Sequence, residues 1–326
     1  MASLKPYSRA QPEGDAATKI QSAVRGHQVR ARISVRTVDD GVTHTRIRGD
    51  AATFAKVGIA GVDTKNGPNA LDVLTVDSRK FEGHVVGGDR LYANVALDHS
   101  GERHAFGGIL PRKLPAAAPH VYINGGYFNV GRLGDRTKPP LTPIGETATA
   151  GGKPVAHLPV PATYAHRYAT VEFPDQSKVT SGPVLSKDGM PAFSEADLQN
   201  PDYRFDSPVI RPGELKHAEH PNPRSLLSMP GERTEADSYR IAVATSTDPA
   251  QERGLRGTGF TMPEWANVGA RLDRMNGTPG FSVNLDGGAS STMGVIGAEG
   301  KTALEVKAGE TPKVSTIVTF TRSKEN

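Results

Sequence analysis

The chain has 326 residues, 36% hydrophobic and 23% charged, which allows one large packed domain or two modest ones and argues against wholesale disorder. Its formal net charge of +4 and an aromatic content of only 6% argue against the basic, base-stacking face of a nucleic-acid binder. There is no cysteine, so disulfides, thiolate catalysis and Cys-based zinc sites are excluded, while 36 Gly and 25 Pro favour many turns and a strand-rich fold.

Residues 1–15 are polar and carry Pro6, Pro12 and Gly14, so they are expected to form a disordered leader. They lack the apolar stretch of a secretory signal, and no run approaches the ~20 apolar residues of a transmembrane span. From 16 to 36 the pattern becomes helix-compatible. Within it, Ile20-Gln21-Ser22-Ala23-Val24-Arg25-Gly26-His27-Gln28-Val29-Arg30 resembles the IQ motif, with Ile20, Gln21, Arg25, Gly26 and Arg30 at the marked positions. That resemblance implies calmodulin as partner and activator, with calcium a candidate requirement. Ile20, Ala23 and Val24 supply an apolar stripe for a Met-lined groove, and the arginines suit an acidic partner. Gly26 weakens an isolated helix by ~1 kcal/mol, so the segment is expected to fold on binding. A basic amphipathic helix of this kind also suits its own domain or a membrane surface.

The main domain is expected over 42–322, after a polar turn at Asp39-Asp40-Gly41. Strand-like segments are 71–76, 121–124, 239–245, 281–285 and 314–320. A capping box, Thr261 with Glu264, opens a helix that carries Trp265, Val268 and Leu272 on one face and is closed by Asn276-Gly277. The polar, Pro-rich stretch 200–237 reads as a long loop. The fold class is α/β (α+β): a strand-rich, mixed-sheet domain behind a short N-terminal helix.

Two glycine-rich segments each follow a short apolar strand: Ile123-Asn124-Gly125-Gly126-Tyr127-Phe128-Asn129, and Asn284-Leu285-Asp286-Gly287-Gly288-Ala289-Ser290-Ser291-Thr292. Paired glycines let the backbone turn sharply and aim successive N–H groups at an anion. Asn-Gly and Asp-Gly also serve plain hairpin turns. In this order, with Asn222-Pro223-Arg224-Ser225 between them, they resemble the phosphodiester glycosidase (uncovering enzyme-like) family. Ala289 stands where that family usually has a third glycine, and Tyr127 where it often has Phe.

The resemblance implies cleavage of a sugar-1-phosphodiester, a linkage that nucleotide sugars contain. Its phosphate leaves as a stable anion and needs less acid catalysis than an alcohol. Arg224 is the candidate phosphate ligand, aided by N–H groups of Gly125, Gly126, Gly287 and Gly288; a structural ion pair is its alternative. Asp286 is the candidate carboxylate, to steady positive charge or activate water, with metal binding or turn capping as alternatives. Asn124, Ser290 and Ser291 would position hydroxyls or phosphate oxygens, with Tyr127 and Phe128 beside them. Glu146 is the weak choice for a second carboxylate. His217 and His220 flank Glu219 in a zinc-like spacing but read as a solvated turn, so no metal is assigned. His44, His99 and His104 read as structural or exposed. A calmodulin-switched enzyme of this composition suits a bacterial effector acting in the cytosol of a eukaryotic host, with a cytoplasmic protein as the alternative. The rival to an enzyme is an inactive glycosidase-like binding module tethered through calmodulin.

Overall fold

The computed structural model describes residues 33–63, 69–87, 96–97, 103–104, 120–129, 142–203, 213, 215–231, 238–246, 259–276, 279–297, 302–308 and 314–323. The leader 1–15 and the motif residues Ile20, Gln21, Val24, Arg25, Gly26 and Arg30 lie outside them, as do His99 and Gly277. In chain order the elements begin with β1 (Ile33–Asp39), β2 (Val42–Gly49), α1 (Ala51–Lys56), β3 (Asn69–Asp77), β4 (Phe81–Gly87), β5 (Ala96–Leu97), β6 (Arg103–His104) and β7 (His120–Asn124). Then come β8 (Thr147–Thr149), β9 (Lys153–Pro154), β10 (Ala169–Glu172), β11 (Lys178–Ser181), β12 (Val184–Lys187) and β13 (Met190–Pro191). The last are β14 (Arg224–Met229), β15 (Ser238–Ser246), α2 (Met262–Asp273), β16 (Phe281–Asn284), β17 (Thr292–Ile296), β18 (Thr302–Lys307) and β19 (Thr316–Arg322).

Eight strands form one sheet in the order β1-β2-β3-β15-β14-β16-β12-β13, and five form a second, β18-β17-β7-β19-β4. A smaller sheet, β10-β11-β8-β9, and the pair β5-β6 complete the set among the described residues. All these ladders are antiparallel. The fold is thus strand-rich with few helices, as the glycine and proline content suggests.

Alternation along β15 shows how the layers are made. Ile241 and Val243 point into the core between the two large sheets, where Ile123, Val295, Val318 and Phe320 of the second sheet meet them. Ala242 and Ala244 point the other way, beneath Trp265 and Val268 of α2. The helix is capped as its sequence indicates: Thr261 Oγ1 accepts from Glu264 N at 3.4 Å, and Glu264 Oε2 accepts from Thr261 N at 2.7 Å.

Two expectations about elements need correction. Residues 33–36 belong to β1 and not to the helix drawn over 16–36: Ile33, Val35, Thr37 and Val38 are β-branched, and the ladder sets Ile33 against Ile47 and Val35 against Thr45. β1 therefore belongs to the sheet ahead of residue 42, where the domain was expected to begin. The stretch 200–237 is not one loop. β14 lies inside it and pairs with both β15 and β16 at the middle of the larger sheet. Pro221 and Pro223 sit just before the strand, where no ladder N–H is lost.

Candidate active site

Four strand ends meet at one edge where the two large sheets come together: the end of β7, the start of β14, the end of β16 and the start of β17. Asn124 joins them. Its Nδ2 donates to the Asp286 carbonyl at 2.7 Å, while its Oδ1 accepts from Ser225 Oγ at 2.7 Å and from Thr292 N at 3.0 Å. The side chain is fully buried. Asn124, expected to position a substrate, spends both ends of its amide on holding the protein together.

The β14–β16 ladder pairs Leu226 with Asn284, and Leu285 N donates to Ser225 O at 2.9 Å. Continuing that register sets Arg224 opposite Asp286. A cation and a carboxylate thus arise from neighbouring strand ends, with Tyr127 close enough to both for each charge to act on its hydroxyl. The Tyr127 hydroxyl accepts from Asn284 Nδ2 at 2.8 Å. The ring of Tyr168 stands 6.2 Å from that of Tyr127, and its hydroxyl donates to Gly213 O at 2.5 Å. Burial raises both phenols well above their ordinary range, so they stay protonated.

Burial pushes the Asp286 carboxyl up to about 7, against hydrogen bonds from the Ser290 hydroxyl and the Gly287 N–H, which favour the ionised form. A carboxyl so placed exchanges a proton near neutral pH. Burial also lowers Arg224 to about 10, offset by Tyr127 and Glu264, and leaves it a cation at neutral pH.

Arg224 is not the open fork expected of a phosphate ligand. Its Nε donates to Phe260 O at 2.9 Å, and Nη2 donates to His217 O at 2.7 Å and His220 O at 3.0 Å. The guanidinium braces the 217–220 turn against the start of α2, and only Nη1 is left without a hydrogen bond among the described residues. His217 and His220 meet Arg224 through their backbone carbonyls. Among the described residues, no three His, Asp or Glu side chains are grouped to hold a metal.

The glycines, too, differ from the anion cradle read from sequence. Gly125 N donates to Thr316 O at 2.8 Å, Gly288 N to Pro223 O at 2.9 Å, and Gly287 N to the Asp286 carboxyl. Gly126 alone of the four has no such commitment among the described residues. What glycine supplies at 125 is close approach: a Cβ there would stand 2.1 Å from Thr316 Oγ1. Gly288, at φ +63°, has open space where a Cβ would stand, so its glycine answers to backbone conformation and not to crowding.

Phe128 is removed from the site. It packs on Tyr122, Ile296, Val314 and Ile317, whereas Tyr127 faces the opposite core, as alternation along an extended chain requires. Ser290 bonds Asp286, but Ser291 Oγ is turned inward and buried. Glu146 pairs with Lys178 at the surface and offers no second carboxylate here. His44 is buried against Asp72, with Nε2 and Oδ1 2.7 Å apart, and so is structural. Sequence reasoning missed Tyr168 and Asn284. The latter stood inside a recognised motif; the former carries no local signal.

The family model for the IQ calmodulin-binding motif matches residues 14–33, which supports calmodulin as a partner. No curated protein matches the chain in sequence. Among solved structures it is similar to a putative exported protein from Burkholderia pseudomallei, at 13% identity and a TM-score of 0.49, covering 90% of this chain and 96% of that one. It is also similar to the zebrafish N-acetylglucosamine-1-phosphodiester alpha-N-acetylglucosaminidase catalytic domain, auto-inhibited by its pro-peptide. There the identity is 14% and the TM-score 0.45, with 90% of this chain and 88% of that one covered. No helix among the described residues is long and apolar enough to cross a membrane.

Proposed function

We propose that the chain is a calmodulin-activated phosphodiester glycosidase that hydrolyses a sugar-1-phosphodiester, with a nucleotide sugar as the favoured substrate. The observation that carries this reading is the juxtaposition of Asp286 and Arg224 on neighbouring strand ends, with the Tyr127 hydroxyl in the field of both. A single proton-exchanging carboxyl with a nearby cation fits a bond whose leaving group is already an acid anion.

In that reaction Asp286, ionised, takes a proton from a water as its oxygen bonds the anomeric carbon. The bond from that carbon to the phosphate oxygen breaks, and the phosphate leaves with the electron pair. Arg224 faces the leaving charge through Nη1 and its field, more as a point charge than as a two-toothed clamp. Tyr127 and Tyr168 wall the sugar and shield it from water. The motif before β1 makes calmodulin the switch, which suits a bacterial effector idle in its producing cell and active in a eukaryotic host cytosol.

The test incubates the full chain with nucleotide sugars, with and without calmodulin and calcium, and follows released nucleotide. Turnover that needs calmodulin and is lost in Asp286→Asn is the expected result. Silence throughout, with calmodulin shown to bind, would sink the nucleotide-sugar substrate and leave a glycan-bound phosphodiester or the inactive binding module as the readings.

A further inference from the structure

One corner of the larger sheet carries a rim of arginines. The ladders set Arg36 opposite His44, Arg46 opposite both Ser34 and Asp72, and Arg48 opposite Ala70. Alternation puts Arg36, Arg46 and Arg48 on one face, the face that turns Val42 and Leu74 into the core further along. Asp72 is fully buried among them, with its Oδ1 2.7 Å from His44 Nε2 and 3.5 Å from Arg46 Nε. Asp39, at the other end of β1, is tied to Arg322. Guanidinium groups thus outnumber carboxylates here, and the one carboxylate among them is already shared. Arg36 and Arg48 are exposed, and β1 is exposed on both faces from Ser34 to Thr37, so the rim is an open surface.

Charges on an edge strand also deter pairing with another sheet. Position is the second observation. The IQ match runs to Ile33, the first residue of β1, and Ile33 pairs with Ile47, which stands between Arg46 and Arg48. Arg30, the last marked residue of the motif, precedes Ile33 by three positions, a span of at most about 11 Å. A pair of EF-hands, on the order of 70 residues, has a radius of gyration near 11 Å and loops rich in carboxylates. Gripping the motif therefore brings an acidic body against the arginines with no linker between. The rim also shares its end of the sheet with the candidate site. Ile47, Leu71, Ala244 and Arg224 form one cross-strand row, and three strand spacings put Arg224 about 14 Å from Ile47.

We propose that Arg36, Arg46 and Arg48 form a second docking surface for calmodulin, so that calmodulin held by the IQ segment is also seated on the folded domain. The proposal rests on calmodulin being the partner of that segment. The second contact forms at the high effective concentration that the first one sets, so modest ion pairs suffice. Seating also fixes the orientation of calmodulin at the sheet end that carries Arg224, where a bare tether would let it swing free. An anionic membrane is the rival occupant of a basic surface. Among the described residues, the face of the rim carries no exposed large apolar side chain to insert into lipid; Val35 points to the opposite face, with Thr45.

The test measures calmodulin affinity of the full chain, with calcium, at about 0.05 M and about 0.5 M salt. Arg36→Glu with Arg48→Glu alters the rim. Lys153→Glu with Lys187→Glu makes an equal charge change at exposed positions on β9 and β12 and is the control. The rim pair is expected to weaken binding about tenfold at low salt and about twofold at high salt, with the control within about twofold at both. Arg36→Gln with Arg48→Gln should fall between, and urea midpoints check that every variant is folded. Equal affinity in rim and control pairs, with the unaltered chain binding, would overturn the second surface and leave the IQ contact standing; arginines that merely guard a free edge give this result. No binding by the unaltered chain would overturn the calmodulin reading and this proposal with it. Sedimentation with phosphatidylserine vesicles that needs Arg36 and Arg48, while calmodulin affinity does not, would assign the rim to a membrane instead.

Discussion

Asn124 Nδ2 donates to the backbone carbonyl of Asp286 at 2.7 Å across 162 residues of sequence. The bond fixes the peptide that carries the proposed catalytic carboxyl to the end of a strand in the other large sheet. Asn124→Ala removes this donor and leaves Ser225 Oγ and Thr292 N without their acceptor. A loss of about 3 kcal/mol is expected from buried groups so orphaned, read as a lower urea midpoint. Asn124→Asp keeps the acceptor and loses the donor, so it should recover part of that stability and little of the activity.

Raising the Asp286 carboxyl to about 7 has a sign that can be worked out. The folded state keeps a proton that the unfolded chain, with an ordinary carboxyl near 3.9, has already lost. Stability contributed by this group is therefore present below about pH 4 and is lost as pH rises toward 7. Asp286→Asn should raise the thermal midpoint at pH 8 and change it little at pH 4. Equal midpoint changes at the two pH values would contradict the shift.

Activity should follow the ionised form of the same carboxyl. On the proposed reaction, kcat/KM with calmodulin bound is expected to rise through about pH 7 and stay level until Arg224 starts to lose its proton toward pH 10, since the phenols of Tyr127 and Tyr168 remain protonated. A bell with a falling limb near pH 9 would point to a second titrating group.

Arg224→Lys keeps the charge but loses the planar donors that reach Phe260, His217 and His220. A destabilisation of about 3 kcal/mol is expected, close to that of Arg224→Ala. Were Arg224 merely a phosphate ligand on the surface, both variants would unfold at the wild-type midpoint.

Tyr127→Phe removes the acceptor of Asn284 Nδ2 and little apolar surface. It is expected to lower kcat about tenfold with a midpoint change under about 1 kcal/mol. Tyr168→Phe, whose hydroxyl bonds Gly213 O, should act mainly on KM by loosening the wall it forms.

Strands that bury one or both faces could be read from the sequence because β-branched and apolar residues at 71–76, 121–124, 239–245 and 281–285 have no competing signal. The helix declared itself through Thr261 and Glu264. β14 stayed hidden because Pro221, Pro223 and its polar flanks mask a short apolar run, Leu226-Leu227, whose burial comes wholly from neighbouring strands. β1 was absorbed into the basic segment before it. At the site, Asp286 and Arg224 were legible as residue types at strand ends. Their partners were not, since a hydrogen bond to a backbone carbonyl leaves no trace in composition. Tyr168 enters through the tertiary approach of β10 alone.

The close approach of Gly125 to Thr316 also dictates when the site can exist. β7 leaves the ribosome long before β19, yet the N–H of Gly125 has no partner until Thr316 arrives to accept it. Joining strands so far apart in sequence is a late, slow step in folding. A nascent chain that has not reached β19 lacks the last rail of the sheet carrying Asn124, so the proposed catalytic edge is assembled only after nearly all of the fold has been synthesised. Ribosome-bound chains released before residue 316 should consequently be inert whatever activator is present.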